Sequence, residues 1–191
     1  LKNWKEVQPK DYKEYRKNWI SRPNESKYGE FPLALNIEVT TRCNLACTFC
    51  WHKDLESGAK FDMDYELFKK IIDEASNNSI PSVNLNGLGE PMIHPQLIDM
   101  IKYCKMRGIP EVQFHTNATI MNDKIANDLI EAGLDNIIFS LDSPDKETYE
   151  NMRVKSSFDS VQKNVRTFLK VRNSQNKIKP FVRVTMVLTD K

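Results

Sequence analysis

Short apolar runs alternate with amphipathic stretches along most of this 191-residue chain, and this alternation constrains the fold more than any other feature. The runs are rich in Val, Ile and Phe, as β-strands are. They cover residues 33–39, 83–85, 112–114, 136–141 and 181–188. Strands that alternate with helices over short links form right-handed crossovers and a parallel sheet. The pattern therefore predicts an α/β protein with five parallel strands.

Four helices are predicted between these strands, because apolar residues repeat there at helical spacing. The first follows Asp62 and Asp64, and the third follows Asn122 and ends at Gly133, residue types that are typical of helix starts and ends. The second follows Pro95 and stops at Gly108 and Pro110, and the apolar positions of the fourth are Val161, Val165, Phe168 and Leu169. We further predict that residues 1–30 form a helical extension leaning on a core of residues 31–191; its aromatic residues are Trp4, Tyr12, Tyr15 and Trp19.

Each of the first four predicted strands is followed at once by a polar cluster that a hydrophobic core does not need. The clusters are TTRCNLACTFC, NGLGEP, HTNAT and SLDSPD. In a parallel α/β sheet or barrel the carboxyl ends of the strands point the same way and form the rim of the active site. We therefore expect residues scattered from 40 to 142 to converge at one edge of the sheet.

Charge and composition exclude several classes of partner. The 28 basic residues are balanced by 26 acidic ones, so no strong net field draws the chain to nucleic acid or to an anionic bilayer. No run of about 18 apolar residues occurs, and the first residues are too polar for a signal peptide. We therefore expect a soluble, cytoplasmic protein with no membrane or nucleic-acid partner. Since the chain opens on Leu1 and stops in the polar TDK, we also expect it to be a piece of a longer protein.

Three of the four cysteines lie within eight positions directly after the first apolar run, at Cys43, Cys47 and Cys50. In a reducing compartment such spacing indicates metal binding or catalysis rather than disulfides. One interpretation is a zinc ion with His52 as the fourth ligand. Structural zinc sites usually pair two short ligand segments, however, and the chain has no second one. The other interpretation is an iron–sulfur cubane held by three thiolates, which leaves one iron open to an exogenous ligand.

With Phe49 before the last cysteine, this segment matches the motif CxxxCxΦC, in which Φ is an aromatic residue. The chain thereby resembles the radical S-adenosylmethionine (SAM) superfamily. The resemblance continues after the second strand, where Gly89 and Glu90 match a Gly-Gly-Glu element whose first glycine is Leu88 here. After the fourth strand, Ser140, Asp142 and Arg153 are similar to residues of one branch of the superfamily. Members of this branch often carry a second, cysteine-rich cluster domain, called SPASM or, in its shorter form, twitch.

The resemblance, which covers roughly residues 33–188, implies a chemistry and a set of cofactors. The three cysteines would hold a [4Fe-4S] cluster, and SAM would chelate the open iron through its amino and carboxylate groups. An electron from a flavodoxin- or ferredoxin-type reductant would break the C5′–S bond. The resulting 5′-deoxyadenosyl radical would abstract hydrogen from a peptide or from a small molecule such as a sugar or aminocyclitol. The protein's share would be to orient the cofactors and exclude water.

The resemblance also implies roles in cofactor binding. Phe49 would lie against adenine, Glu90 would accept a hydrogen bond from a ribose hydroxyl or the methionine ammonium, and Arg153 would pair with the SAM carboxylate. The same set includes Gly89, Thr116, Asn117, Ser140 and Asp142. Plainer alternatives are a core packing role for the phenylalanine, a helix cap for Glu90, turn chemistry for the Thr, Asn and Ser residues, and a solvated loop charge for Arg153.

The resulting expectation is a partial, open (β/α) barrel of the radical SAM type, with five of about six βα units visible. The sixth strand, and the cysteines of any auxiliary cluster, would lie beyond Lys191. Two functions from different classes remain. One is a radical SAM enzyme, an oxidoreductase or modifying enzyme. The other is a zinc-stapled binding module that only scaffolds a partner.

Overall fold

The computed structural model describes residues 10–54 and 61–188. Its strands are β1 (Leu35–Asn36), β2 (Ser82–Asn84), β3 (Glu111–Thr116), β4 (Asn136–Ser140) and β5 (Phe181–Thr185). Its α-helices are α1 (Lys10–Asn24), α2 (Tyr65–Asn77), α3 (Leu97–Met106), α4 (Asp123–Glu131), α5 (Lys146–Met152) and α6 (Phe158–Ser174). The strands form one sheet in the order β1-β2-β3-β4-β5, and every neighbouring pair is parallel. The predicted α/β fold with five parallel strands is confirmed, and it is consistent with a partial (β/α) barrel.

Predicted helix starts and ends correspond to specific capping contacts. The carboxylate of Asp64 accepts a hydrogen bond from the Leu67 N–H at the start of α2, and Asn122 does the same for Ile125 at the start of α4. Gly133 follows α4 with a φ of +84°, a conformation that side chains with a Cβ rarely adopt. Local sequence chemistry therefore sets where these helices begin and end.

Three elements differ from the sequence prediction. β1 is shorter than residues 33–39, because the chain soon turns to pair with another segment, where the Met63 N–H donates to the Val39 carbonyl at 2.8 Å. β5 ends at Thr185 rather than at residue 188, since β4 provides no partner beyond Ser140. Helix α5 was not predicted. With Tyr149 as its one buried residue, it gives no apolar repeat in the sequence.

The sheet has one apolar and one polar face, as the period of two along a strand requires. Val83, Val112, Phe114, Ile137 and Phe139 are buried with residues of the helices in a single core. Most alternate positions on the other face are polar, whereas Ile138 and Phe181 are apolar members of it; the polar ones are Asn36, Asn84, Gln113, Asn136 and Arg183. The core therefore lies between sheet and helices, and the opposite face is available for polar contacts.

Helix α1 packs against the amino ends of the central strands. The hydroxyl of Tyr12 hydrogen-bonds Glu111, the first residue of β3, and Tyr15 lies buried near Ser82, the first residue of β2. Burial and the nearby Glu111 carboxylate raise the pKa of Tyr12 well above its ordinary value. The division into an extension of residues 1–30 and a core of residues 31–191 remains a prediction, and Trp4 lies outside the described residues.

Across residues 10–54 and 61–188, the structure has no helix that is both long and apolar enough to span a bilayer.

Candidate functional site

The segments that follow β1, β2, β3 and β4 meet at the carboxyl edge of the sheet. The Glu90 N–H donates to the Arg42 carbonyl at 2.8 Å, which joins the loop after β2 to the cysteine segment. The Asn117 side chain donates to Asn44 at 2.9 Å, which joins the same segment to the end of β3. The cysteine segment also receives backbone contacts from the region of α5: the Ala46 N–H donates to the Val154 carbonyl at 3.1 Å. The predicted convergence of these four clusters is therefore observed.

Cys43, Cys47 and Cys50 are free thiols in this edge, the second buried and the other two half-buried. Burial raises the pKa of Cys43 and of Cys47, and the charges of the neighbouring cysteines add to both rises. Each thiol thus lies within electrostatic range of another. In the part of the chain that the structure describes, no three His, Cys, Asp or Glu side chains form a group that could hold a single metal ion.

A buried cation stands beside the cysteines. The Arg153 Nε donates to Asp142 Oδ2 at 2.6 Å, and the two side chains are only 9% and 1% exposed. The guanidinium carbon lies 5.8 Å from the centre of the Phe49 ring. Its positive charge opposes the rise that burial gives to the pKa of Cys47. Arg153 is therefore not a solvated loop charge but a fixed positive group facing the thiol segment.

Asp142 positions this cation. While one carboxylate oxygen binds Arg153, the other accepts a hydrogen bond from the Val187 N–H at 3.0 Å. Both carboxylate oxygens thus accept hydrogen bonds from protein groups. Asp142 would therefore contribute to cofactor binding by holding Arg153 in position and not by contacting the cofactor. Ser140 lies half-buried at the end of β4, in register with Thr185.

Glu90, 3% exposed, connects two loops through its carboxylate. One oxygen accepts from the Thr116 hydroxyl at 2.7 Å and from the Met92 N–H at 3.2 Å; the other accepts from the Asn117 N–H at 2.7 Å. Burial raises the pKa of Glu90, and these hydrogen bonds oppose the rise. The contact with Met92 caps a short 3₁₀ helix, Pro91–Ile93, so the helix-cap alternative describes part of what Glu90 does.

Asn117 lies close to one of the predicted metal ligands. Its side-chain nitrogen is 4.0 Å from Cys43 Sγ and 2.9 Å from Asn44 Oδ1, while its oxygen accepts from the Thr119 N–H and hydroxyl at 3.0 and 2.7 Å. Asn117 therefore makes the turn contacts that the sequence analysis gave as the alternative to cofactor binding. Its side-chain N–H group is also directed at a cysteine sulfur. Asn44 was not among the predicted site residues, and its position between two cysteines of the motif is the signal that could have found it.

Gly89 is required by the close approach of two loops. A Cβ on this residue would lie 2.1 Å from the Thr40 carbonyl oxygen and 2.7 Å from that of Arg42. Leu88, in place of the more common glycine, is 41% exposed, and its N–H donates to Glu38. A leucine is thus accommodated at this position because its side chain points away from the packed loop.

These residues fit the group that the sequence predicts. Three thiols without a disulfide supply sulfur donors, and the buried guanidinium and the Asn117 amide supply positive and donor groups around them. The Radical SAM superfamily model matches residues 37–188. The chain belongs to the radical SAM superfamily. This family uses a [4Fe-4S] cluster and SAM, so the predicted cofactors are confirmed.

Curated relatives of this radical SAM chain include two proteins with different names. It is 40% identical over 111 residues to the tungsten-containing aldehyde ferredoxin oxidoreductase cofactor-modifying protein of Pyrococcus furiosus, over 56% of this chain and 30% of that protein. It is 30% identical over 138 residues to the GTP 3′,8-cyclase of Chlorobaculum tepidum, over 72% of this chain and 41% of that protein. The chain spans less than half the length of these relatives.

A solved structure with the same fold is Streptococcus suis SuiB bound to SAM. It is 22% identical, with a TM-score of 0.71 over 92% of this chain and 38% of that chain. The same protein bound to the precursor peptide SuiA gives a TM-score of 0.70 at 21% identity, over 92% of this chain and 37% of that chain. These similarities establish the fold. The assignments of individual residues at the carboxyl edge remain predictions.

Proposed function

We propose that this chain forms the cofactor-binding core of an enzyme that cleaves SAM reductively and abstracts hydrogen from an organic substrate. The observation that carries the proposal is the set of three free thiols at the carboxyl edge beside the buried Arg153–Asp142 pair. When bound, the cluster and SAM supply the electron transfer and the 5′-deoxyadenosyl radical. The chain supplies ligands, orientation and exclusion of water.

Each side chain has a task that its surroundings support. Cys43, Cys47 and Cys50 ligate the cluster through their thiolates. Loading therefore releases protons, because burial raises the pKa of Cys43 and Cys47. Arg153 pairs with the SAM carboxylate while Asp142 holds its Nε edge.

The remaining assigned residues bind the rest of SAM or support its site. Glu90 receives the methionine ammonium, whose charge offsets the cost of burying an ionised carboxylate. Phe49 offers an apolar face to adenine. Thr116, Ser140 and Asn117 supply hydrogen bonds to the ribose or carboxylate, and Gly89 lets the loop after β2 approach the cysteine segment.

We further propose an oxidoreductase or modifying enzyme of the SPASM or twitch branch, on the basis of Ser140, Asp142 and Arg153. Its core covers residues 31–191 behind a helical extension of residues 1–30. A flavodoxin- or ferredoxin-type protein provides the electron. A cytoplasmic location suits three cysteines that must stay reduced until they bind iron.

The substrate is proposed to be a peptide or a small molecule. The names of the two curated relatives refer to GTP, at 30% identity, and to the cofactor of a tungsten-containing oxidoreductase, at 40% identity. Alongside a sugar or aminocyclitol, a nucleotide-like small molecule is therefore a member of the proposed class.

The test is formation of 5′-deoxyadenosine. The chain is loaded anaerobically with iron and sulfide, mixed with SAM and dithionite, and the products are separated by chromatography. We expect 5′-deoxyadenosine from the loaded wild-type chain and none from the same sample without dithionite. A loaded chain that binds SAM and accepts an electron but releases no 5′-deoxyadenosine would contradict the proposal.

A further inference from the structure

A cavity lies on the polar face of the sheet, toward the amino ends of β3, β4 and β5 and away from the cysteines. It has a volume of about 870 Å³ and is enclosed by α1, the polar face of the sheet and the end of α6. Its lining includes Glu111 and Phe181, the first residues of β3 and β5, and Tyr15 and Trp19 of α1. This size lies within the range of about 300–1,000 Å³ that is typical of small-molecule sites.

Three arginines from three different elements line this cavity: Arg16 of α1, Arg172 of α6 and Arg183 of β5. Among the described residues, none of them forms an ion pair with a carboxylate. Arg183 instead donates to the neutral Gln113 side chain at 2.7 Å, and Arg172 donates to the Pro180 carbonyl at 3.0 Å. The arginines therefore bring positive charge to the cavity that these described contacts do not neutralise.

The carboxylate of Glu111 also lines the cavity, but its oxygens are already engaged. It accepts hydrogen bonds from Ser82 Oγ at 2.8 Å and from Asn136 Nδ2 at 2.9 Å, and Tyr12 adds a third. Glu111 is 3% exposed and is held in place by these neutral donors. The negative charge of Glu111 offsets one of the three guanidinium charges, so the lining of the cavity keeps an excess of positive charge.

We propose that this cavity receives an oxyanion of the substrate, a phosphate or a carboxylate, and that Arg183 is its principal ligand. Arginine presents planar pairs of N–H groups that match both kinds of oxyanion. Arg183 extends over the middle of the sheet, where its side chain donates a hydrogen bond to Gln113 on β3. The inference rests on the proposed function and names the chemical class of its substrate.

The position of the cavity also restricts the length of that substrate. Gln113 is in register with Asn136 at the start of β4, whereas Ser140 marks the carboxyl edge of the same strand. Four residues at about 3.3 Å each separate these rows by about 13 Å. A substrate that binds in the cavity and reacts at the carboxyl edge would therefore hold its oxyanion and the carbon that loses its hydrogen on the order of 13 Å apart.

Calorimetric titration with two small probes tests the proposal. Inorganic pyrophosphate and succinate are each titrated into the chain loaded with its cluster and SAM. We expect at least one probe to bind and Arg183→Gln to weaken its binding by about tenfold or more, because a bidentate charged contact is lost. A stronger response to pyrophosphate identifies a phosphate, and a stronger response to succinate identifies a carboxylate.

The matched control is Arg166→Gln, which removes an exposed arginine on α6 that does not line the cavity. We expect this variant to bind the probe as the wild type does. The proposal is overturned if neither probe binds, if Arg183→Gln binds as tightly as the wild type, or if Arg166→Gln weakens binding equally.

The two proposals fail separately. Formation of 5′-deoxyadenosine by the wild-type chain is measured on the same preparation. If this product forms and the probes do not bind, the anion site is wrong and the proposed function stands. If the probes bind through Arg183 and no product forms, the anion site stands and the proposed function is wrong.

Discussion

Two carboxylates, each 3% exposed, lie at opposite ends of the same sheet and are bound in different ways. Glu90, at the carboxyl edge, accepts hydrogen bonds from backbone N–H groups of two loops, including that of Asn117. Glu111, at the amino edge, accepts from the side chains of Ser82 and Asn136 on neighbouring strands. Glu90 therefore holds the backbone of two loops in place, whereas Glu111 joins strands that are already paired through their backbones. The conformation of the carboxyl edge thus depends on a polar side chain, and that of the amino edge depends on strand pairing.

The largest expected effect is on iron binding, and it separates the cysteines of the carboxyl edge from the cysteine of the hydrophobic core. Cys47→Ala should abolish iron binding, because two protein thiolates cannot hold the cubane. Cys104→Ala should keep it: this thiol is fully buried in the core, burial raises its pKa to about 12, and it lies outside the motif. Iron and sulfide analysis after anaerobic loading measures both variants. Stoichiometric iron in Cys47→Ala would refute the ligand assignment.

The next expected effect concerns the buried ion pair of the cofactor edge. Arg153→Ala leaves Asp142 buried without its cation, so we expect the free energy of unfolding to fall by about 3–5 kcal/mol. Lys146→Ala, which breaks the exposed pair with Asp159, should have a much smaller effect because water screens it. Urea denaturation of the metal-free chain compares the two. Equal losses would show that the Arg153–Asp142 pair contributes no more than a surface contact.

A milder pair of substitutions tests the two carboxylates directly. In Glu90→Gln an NH₂ group must face a backbone N–H, because both oxygens of Glu90 accept from such donors, and this should cost about 1–3 kcal/mol. In Glu111→Gln the new NH₂ group can donate to the Ser82 hydroxyl, which also accepts hydrogen bonds, so the loss should be about 1 kcal/mol or less. Denaturant titration checks both. A larger loss for Glu111→Gln would reverse the comparison.

The pH dependence of stability offers a further check on Glu90. Its raised pKa means that the folded chain keeps a proton at pH values where the unfolded chain, with an ordinary pKa of 4.5, has released it. The folded state then binds more protons, so stability falls as pH rises from about 4.5 through the folded pKa. Glu90→Gln should remove this contribution. Unfolding free energies of the metal-free chain at several pH values would contradict the account if wild type and variant changed in parallel.

The smallest expected effect is at the polar face of the sheet. Burial lowers the pKa of the His115 imidazole, and the nearby positive charge of Arg183 lowers it further. Arg183→Gln should therefore raise the pKa of His115 toward its ordinary value, while Arg166→Gln should leave it unchanged. Titration of the imidazole signals by NMR measures the shift. An unchanged pKa in Arg183→Gln would mean that the guanidinium does not lie near the histidine.

The sequence predicts the parts of this fold that depend on local patterns. The strands and four of the helices follow from apolar periodicity, and the caps at Asp64 and Asn122 follow from residue type. The sequence does not predict α5, because its one buried residue, Tyr149, forms no repeat. It also overestimates the length of β1, since contacts with residues 61–63 redirect the chain.

The candidate site shows the same division. Its residues are named by the motif, but their mutual contacts depend on tertiary structure. Nothing in the local sequence shows that Asp142 binds Arg153 or that Glu90 spans two loops, because these partners are separated by 11 to 27 residues. The contact between Asn117 and Asn44 spans 73 residues and is equally invisible to periodicity. Spacing therefore predicts the donors, whereas their arrangement requires the folded chain.

The most direct test of the central claim is the electron paramagnetic resonance spectrum of the reduced, cluster-loaded chain with and without SAM. An iron that no protein thiolate ligates is free to accept SAM, which changes the electronic environment of the cluster. We predict that SAM alters the spectrum of the wild-type chain. A cluster signal that is identical with and without saturating SAM would contradict the claim that Cys43, Cys47 and Cys50 leave one iron open for it.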